Sequence, residues 1–326
     1  MFLIGSDKLK RPRVLGVILG VALLGFILSA LDTTAVFQTV GGVGARFSWL
    51  ILISGLPIFC AAFSWFVLFQ SGSRPGFFVL LVATWVGLAV NWLLPVAQVG
   101  GEIVKGRLVR ARYGALTTTW PTVVVDKLLQ ASTQALFGMV GLLLLVWFTG
   151  DKGFLKGLIS IGILSSVVLL VAFGIRRFGV FALINRFVFS VWKAQRDRGK
   201  SVEAHELDHR VRQVLENRRS LLRAGLWRFG FRVAFVFEIY VASRLLGMPL
   251  TFMESLILEA LAQTARMMAF AIPGGLGAQE GVLTLVGTAL GLTPETALAM
   301  SLLKRGRELA VGLPALACWQ WREVKQ

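Results

Sequence analysis

Apolar residues occur along this chain in long runs, several of them about twenty residues in length, which is enough to cross a hydrocarbon core as a helix. Each such run is predicted to form one membrane-spanning helix. The predicted spans are Val14–Leu31, Trp49–Gln70, Gly76–Leu94, Ser132–Phe148, Phe154–Ile175, Phe229–Leu246 and Phe252–Ile272. A further apolar region, Gly281–Trp321, is interrupted at Gly291–Pro294 and is predicted to hold two helices, one of them short.

This pattern predicts an all-α fold: a polytopic integral membrane bundle of about eight or nine helices with two re-entrant or broken segments, in a single domain over residues 1–326. Between the spans, Asp32–Ser48 is too polar to cross and is predicted to be a loop or a surface segment. Ala115–Ala131, which contains a proline and two charged residues, either extends the following helix or adds a crossing.

The stretch Arg176–Arg228 is predicted to be a basic amphipathic connector on the cytoplasmic side. Within it, Phe181–Trp192 and Val202–Leu226 place apolar residues at helical spacing among charged ones. Such helices either lie on the membrane surface and bind lipid or pack on the bundle as a solvated connector, and both readings remain open.

The predicted topology contains a conflict. Basic residues place both the N-terminus and the connector in the cytoplasm, which requires an even number of crossings between them. Five apolar runs are predicted there. Either one run does not cross, or Asp32–Ser48 or Ala115–Ala131 adds a crossing.

Composition agrees with a membrane protein. Of the 326 residues, 56% are hydrophobic and 16% are charged, which is too apolar for a soluble domain of this size. The net charge is +17, but 14 lysines and arginines against five acids lie between Arg176 and Arg232. Basic charge beside spans indicates a cytoplasmic loop near anionic headgroups, in a multi-pass protein of the cell inner membrane, and no nucleic-acid partner is predicted.

Two segments that interrupt apolar helices share a similar arrangement of proline, glycine and glutamate residues. Leu94–Glu102 reads L-P-V-A-Q-V-G-G-E and Ile272–Glu280 reads I-P-G-G-L-G-A-Q-E, so a glutamate follows each proline by seven residues. Backbone groups freed by such breaks cannot face lipid, and they must be buried or line a polar cavity. Paired broken helices in two halves of a chain are typical of transporter sites near the bilayer midplane, although two unrelated kinks are the alternative.

Charged residues near these segments are expected to face a cavity or to pair, because an ionisable group in lipid costs several kcal/mol. The candidate substrate-binding residues are Pro95, Gly100, Gly101, Glu102, Arg107, Asp126, Glu259, Arg266, Pro273, Gly274, Gly275, Glu280 and Arg305. Each charged candidate can equally serve as an internal ion pair that holds helices together. Basic residues beside helix N-termini would suit an anionic headgroup such as phosphate.

The same stretches resemble a known family. Leu94–Arg107, Val125–Leu129 and Pro273–Gly281, followed by Ala299–Arg307, are similar to the lysylphosphatidylglycerol synthase transmembrane family, which is flippase-like, and the similarity covers nearly the whole chain. The last stretch, Leu303–Gln320, looks like the subgroup associated with hopanoid biosynthesis. One departure is Lys105, which stands where an arginine is expected after Gly-Gly-Glu.

The resemblance implies a lipid translocase or scramblase that moves a polar-headgroup or hopanoid-type lipid across or out of the inner membrane, and a transporter rather than an enzyme. Its expected partners are membrane lipids, anionic or hopanoid-type, and no cofactor or metal is expected. Two alternatives remain: an integral-membrane lipid or glycan transferase, in which Asp126 and Glu259 act as bases, and a non-catalytic scaffold of a lipid-biosynthesis complex.

One motif suggests different chemistry. His205–His209 reads H-E-L-D-H and matches the zinc-protease pattern H-E-x-x-H, in which both histidines share one helical face. The motif lies in the charged connector rather than inside a span, and a third ligand is not evident in the sequence. A solvated helical face is therefore the preferred interpretation.

Overall fold

A computed structural model describes residues 41–70, 74–94, 99–113, 119–150, 199–269 and 277–324. The predicted spans Val14–Leu31 and Phe154–Ile175 and the predicted surface helix Phe181–Trp192 lie outside these residues. The described part of the chain is helical throughout, with no strand, which confirms the all-α prediction.

The described helices are numbered in chain order, with residues 151–198 between the fifth and the sixth outside the description. A 3₁₀ turn at Gly44–Phe47 precedes α1 (Ser48–Ile53), α2 (Gly55–Phe66), α3 (Phe77–Leu93), α4 (Gly100–Tyr113), α5 (Thr119–Thr149), α6 (Gly199–Glu216), α7 (Arg218–Leu245), α8 (Phe252–Met268), α9 (Ala278–Ala289) and α10 (Pro294–Val324).

By length and composition, two helical stretches among the described residues can cross a membrane: Gly44–Phe66 and Thr119–Thr149, with the shorter apolar α3 beside them. The helices α7 and α8 occupy two other predicted spans but carry several charged residues. Four of the charges within these two spans are buried inside the bundle: Arg232, Glu238, Glu259 and Arg266. Burial against neighbouring helices keeps these groups away from the lipid.

Two uncertain regions of the sequence now have definite structures. Most of Ala115–Ala131 lies in α5, so this region extends the following helix instead of forming one of its own. The apolar region Gly281–Trp321 is divided between α9 and α10, and Gly291 between them adopts a positive φ of 90°. A left-handed residue costs little at glycine, which explains the sharp turn.

The described part of the basic connector packs on the bundle. In α6, Val211 and Val214 are buried in one hydrophobic cluster with Trp65 and Phe69 of the α2 region. The apolar face of this helix is therefore covered by protein, as in the packed-connector interpretation. Asn217 then begins α7, since its side chain accepts a hydrogen bond from the Ser220 N–H at 3.1 Å.

Neither helix runs through its proline segment. The helix α3 ends at Leu93, and Leu94 is extended with φ −109° and ψ 148°, the backbone that a following proline favours. The helix α8 ends at Met268, and α9 begins after Gly277, whose φ is 78°. The two breaks predicted from the sequence are therefore present in the fold.

The helices around the two breaks form a structural repeat. Helices α3, α4 and α5 contain 17, 14 and 31 residues, and α8, α9 and α10 contain 17, 12 and 31. A shift of 175 residues (from 77 to 252 and from 119 to 294) superimposes the boundaries of α3 on α8 and of α5 on α10. Matching lengths on both sides of both breaks favour a repeat over two unrelated kinks.

The packing of the helices has the same symmetry. The same shift of 175 residues maps α2 onto part of α7, and these two helices pack on each other. Helix α3 packs on α10, and its equivalent α8 packs on α5. Contacts at both crossed interfaces are close: Trp85 Nε1 donates to the Val311 carbonyl at 3.0 Å, and a Cβ on Gly141 would lie 2.5 Å from Ala260 Cβ. Each half therefore packs its first hairpin helix against the long helix of the other half.

Helices α3 and α4 form an antiparallel hairpin with backbone contact. Gly101 lies against Gly87 near the break, and the Gly76 N–H donates to the Tyr113 hydroxyl at 3.0 Å at the opposite end. A Cβ on Gly87 would be 2.8 Å from the Gly101 carbonyl oxygen, which is closer than real Cβ contacts. Asn91 adds a hydrogen bond, since its Oδ1 accepts from the Gly101 N–H at 2.9 Å.

Substituting Gly101 by alanine is expected to destabilise the bundle, because the added Cβ would collide with the Gly87 carbonyl and lie 2.7 Å from the Asn91 side chain. Overpacking of this kind costs about 1–3 kcal/mol. Thermal unfolding of the purified protein in detergent measures the loss. Gly225→Ala in α7 is the control, since its Cβ would have nothing within 4 Å. Equal stability of the two variants would contradict the close packing.

Candidate functional site

A cavity of about 180 Å³, here called the central cavity, lies among the helices of both halves. It is partly open to the outside. Its lining comes from α3, α5, α7 and α8 and from the residue before α4, and consists of Leu88, Asn91, Trp92, Val99, Lys127, Gln130, Ala131, Gln134, Phe231, Arg232, Phe235, Gln263, Arg266 and Met267. Its volume suits a small polar group or several water molecules.

The polar part of this lining consists of hydrogen-bonding amides and basic side chains. It contains the amides of Asn91, Gln130, Gln134 and Gln263 together with three bases, and no carboxylate among the described lining residues. The remaining wall is apolar or aromatic. Such a cavity can donate several hydrogen bonds and offers positive charge, which is the environment that stabilises an anionic or strongly polar group.

The central cavity lies beside both helix breaks. Val99 comes directly before α4, and Met267 is the penultimate residue of α8. Interrupted backbone at membrane depth is tolerated where it is buried in protein or lines a polar space. The position of the cavity agrees with this requirement.

A buried ion network surrounds Asp126 of α5, which is fully enclosed. Its carboxylate accepts from Arg228 Nε of α7 at 2.9 Å, pairs also with Arg228 Nη2, and accepts from Lys105 Nζ of α4 at 2.7 Å. The Ser64 hydroxyl of α2 donates to it at 3.3 Å. Four helices are thus joined at one carboxylate. Lys105, which stands where the family resemblance leads us to expect an arginine, therefore has a structural role.

Glu102 belongs to the same network. Its Oε2 lies 2.5 Å from Lys105 Nζ and its Oε1 lies 3.8 Å from Lys127 Nζ. The Lys105 ammonium also lies 4.8 Å from the centre of the Trp65 ring. These contacts neutralise Glu102 in the first turn of α4, where the helix dipole favours a carboxylate.

A second network joins the helices around the other break. Arg266 Nη1 of α8 pairs with Glu308 of α10 and donates to Gln279 Oε1 of α9 at 3.2 Å. Arg305 of α10 donates through Nε to Glu280 Oε1 at 2.9 Å and through Nη1 to Glu308 Oε2 at 3.0 Å. Glu280 occupies the first turn of α9, as Glu102 does in α4.

Two further ion pairs connect α10 to α7 and α8. Lys304 pairs with Glu259, and Arg307 Nε donates to Glu238 Oε1 at 2.9 Å. Arg307 is fully buried and stacks near Trp92 and other aromatic rings. Pairs of this kind fix helix positions, because separating the partners would leave a charge unpaired in a low-dielectric environment.

The predicted site residues have several different positions. Glu102, Asp126, Glu259, Glu280 and Arg305 form ion pairs and do not line the central cavity, whereas Arg266 both pairs and lines it. Gly100 and Gly101 begin α4 beside the cavity. Arg107 is exposed on α4 and does not line the central cavity. Pro95, Pro273, Gly274 and Gly275 lie outside the described residues.

Sequence reasoning missed most of the cavity lining. Lys127, Gln130, Ala131 and Gln134 recur at intervals of three and four residues, which places a polar stripe along one face of the apolar helix α5. That stripe is visible in the sequence. Arg232 lies in the predicted span Phe229–Leu246 but is not among the candidate residues, and the structure buries it within α7 with 5% of its surface exposed.

The H-E-x-x-H motif lies on α6, outside the bundle of spans. His209 is exposed, and its Nε2 lies 3.0 Å from the Gln213 amide nitrogen. Within the described ranges, no group of three or more His, Cys, Asp or Glu residues is placed to hold a metal ion.

Sequence comparisons agree with this architecture. The family described as the lysylphosphatidylglycerol synthase TM region matches residues 13–315. A UPF0104 membrane protein of Pyrococcus horikoshii is 25% identical over 321 residues, covering 93% of this chain and 94% of its own. A UPF0104 membrane protein of Methanothermobacter thermautotrophicus is 24% identical over 251 residues, covering 72% and 71%. With a match over nearly its whole length, this helical membrane protein belongs to the lysylphosphatidylglycerol synthase transmembrane-region family.

Proposed function

We propose that this protein is a lipid translocase, in which the central cavity receives the polar headgroup of a lipid while the acyl chains stay in the surrounding bilayer. The observation that carries this proposal is a partly open, amide- and base-lined cavity located beside two helix breaks. Transporter sites are commonly built from paired broken helices of this kind.

The distribution of charge indicates which end of the bundle faces the cytoplasm. Exposed arginines concentrate at the C-terminal end of α4 and the start of α7, among them Arg107, Arg110 and Arg219. The end of α2, the start of α5 and the packed α6 meet at this same end of the bundle. Since Lys and Arg are enriched in cytoplasmic loops, this end belongs in the cytoplasm.

The α3–α4 hairpin then enters and leaves the membrane on the cytoplasmic side. The contact between Gly76 and Tyr113 places the start of α3 beside the end of α4. The helix α3 has 17 residues and penetrates about 25 Å without crossing. If Gly76–Leu94 does not cross, four apolar runs remain before the connector, which is the even number that a cytoplasmic N-terminus and connector require.

The equivalent hairpin enters from the opposite side. The helix α7 has 28 residues and runs about 42 Å away from the cytoplasmic end, so α8 begins near the outer surface. At the inner tip of the α8–α9 hairpin, Arg266 contacts Gln279. The helix α10 then returns through the membrane with 31 residues. The two halves are thus inverted repeats whose hairpin tips approach the central cavity from opposite sides.

Inverted hairpins provide a physical basis for alternating access. A cavity between two equivalent hairpins can open to one leaflet when one hairpin moves and to the other leaflet when its counterpart moves. Leu94, which is extended at the end of α3, and Gly277, which has a positive φ before α9, are points where the backbone can bend, because both lie outside regular helix.

The transferase alternative receives less support from the geometry. Asp126 and Glu259, its candidate bases, are held by Lys105, Arg228 and Lys304, and neither lines the central cavity. A general base must reach the proton it removes, directly or through one water. The polar lining also suits a headgroup better than the apolar ring system of a hopanoid, so we propose a polar-headgroup lipid as the substrate.

Cysteine labelling tests the inverted topology. In a protein whose native Cys60 and Cys318 are replaced by serine, we expect Ala111→Cys at the end of α4 to react with a membrane-impermeant maleimide only from the cytoplasmic side. Ala289→Cys at the end of α9 is expected to react only from the outer side, and both native alanines are exposed. Labelling in oriented vesicles of both kinds measures this, with detergent-solubilised protein as the control for reactivity. Reaction of both cysteines from one side would contradict the inverted repeat.

Leaflet exchange tests the translocase itself. In liposomes with fluorescent lipids and an impermeant quencher, the protein is expected to exchange labelled lipids between leaflets faster than protein-free liposomes do. Glu280→Gln is expected to slow exchange by about tenfold, which is the effect of about 1.4 kcal/mol on a barrier. The reason is that Glu280 both pairs with Arg305 and accepts the Gly277 N–H at 2.7 Å at the start of α9.

Glu254→Gln is the matched control for this experiment. Glu254 caps α8 in the same way, accepting the Thr251 N–H at 2.7 Å, but it lies at the opposite end of its hairpin and is not part of the ion networks described above. Wild-type exchange in Glu254→Gln with loss in Glu280→Gln would support the proposal. Exchange no faster than in protein-free liposomes, or full activity in a folded Glu280→Gln protein, would contradict it.

A further inference from the structure

Arg232 differs from every other buried base in the described bundle. The buried bases Lys105, Arg228, Arg266, Lys304 and Arg307 each form an ion pair with a carboxylate. Arg232 is 5% exposed and has no carboxylate within ion-pair distance among the described residues. Glu259 of the neighbouring helix α8 is already paired with Lys304.

The contacts of Arg232 leave part of its guanidinium unused. Its Nη2 donates to the Gln130 carbonyl at 2.9 Å, and its Cζ lies 5.1 Å from the centre of the Phe231 ring. Its Nε is buried and has no hydrogen-bond partner among the described residues. A desolvated guanidinium without a counter-ion is costly, so a protein retains one where a ligand supplies the missing charge.

The surroundings of Arg232 fit an oxyanion. Arg232 lines the central cavity together with Lys127, which supplies a second positive charge, and with the amides of Asn91 and Gln263. The guanidinium presents donors in a planar fork that matches the oxygens of a phosphate, and amide N–H groups can donate to the remaining oxygens. The described lining contains no carboxylate that would repel such a ligand.

We infer that Arg232 is the principal recognition residue for a phosphate group in the central cavity, supplied by the phosphodiester of a lipid headgroup or by free phosphate. This inference rests on the proposed function, because it places the phosphate in the cavity proposed to receive the headgroup. Its test is a binding measurement and does not require that lipid be translocated. Lys127 contributes charge at the rim, with one third of its side chain exposed, while Arg232 provides the buried, directional contact.

The experiment measures binding to the full-length protein in a neutral detergent by isothermal titration calorimetry. The probes are inorganic phosphate, a short-chain phosphatidylglycerol and the matching short-chain diacylglycerol without phosphate. The variants are Arg232→Gln, Arg232→Lys and Arg223→Gln, the last being an exposed arginine on the same helix. Size-exclusion chromatography and thermal unfolding confirm that each variant is folded.

The wild type and Arg223→Gln are expected to bind the phosphate-bearing lipid and not the diacylglycerol. Arg232→Gln should weaken that binding at least tenfold. Arg232→Lys keeps the charge but not the planar pair of donors, so its affinity should lie between those of the wild type and Arg232→Gln. Binding of the lipid but not of inorganic phosphate identifies the headgroup as the source. Binding of inorganic phosphate with the same dependence on Arg232 identifies free phosphate. Either result supports the site.

Two results would overturn the inference: no phosphate probe binds the wild type, or Arg232→Gln binds as tightly as the wild type. Both are distinguishable from failure of the translocase proposal. If labelled lipids exchange between leaflets regardless of phosphate and of Arg232, the protein is a translocase without this site. If phosphate probes bind through Arg232 but no lipid exchanges, the site exists in a protein that does not translocate lipid.

Discussion

The compensation of desolvated charge organises this bundle. A lone ionised group at membrane depth costs several kcal/mol, so each one needs a partner of opposite charge. Asp126 joins four helices because it is satisfied by Arg228, Lys105 and Ser64 at once. The network of Arg266, Glu308, Arg305 and Glu280 does the same around the second break. Helix positions that apolar packing alone would leave loosely defined are thereby fixed.

The repeat accounts for how broken helices are accommodated. The first helix of each hairpin is supported by the long helix of the other half, α3 by α10 and α8 by α5. Small residues permit the close approach, as at Gly141 against Ala260. Because each half supplies the long helix that supports the other half's hairpin, the packing of the two halves is interdependent.

The long apolar runs were enough to predict the helical class, both breaks and the glutamates that follow them, because these depend on local composition and on proline chemistry. The partners of the buried acids were not predictable. Glu280 meets Arg305 and Asp126 meets Arg228 only through tertiary packing across 25 and 102 residues. Arg228, the last residue of the predicted connector, is buried in α7 against Asp126 for a similar reason, since burial depends on which neighbours cover a residue.

The separation of ion pairs from the cavity has a functional consequence. Carboxylates lining the central cavity would bind its bases permanently and repel an anionic headgroup. With the acids placed behind the wall, the lining offers amides, which bind polar groups moderately and reversibly, and a single buried guanidinium without a carboxylate partner among the described residues. A translocase must release what it binds, so a site that is strong enough to desolvate a headgroup and weak enough to free it is better built from amides and one cation than from complete ion pairs.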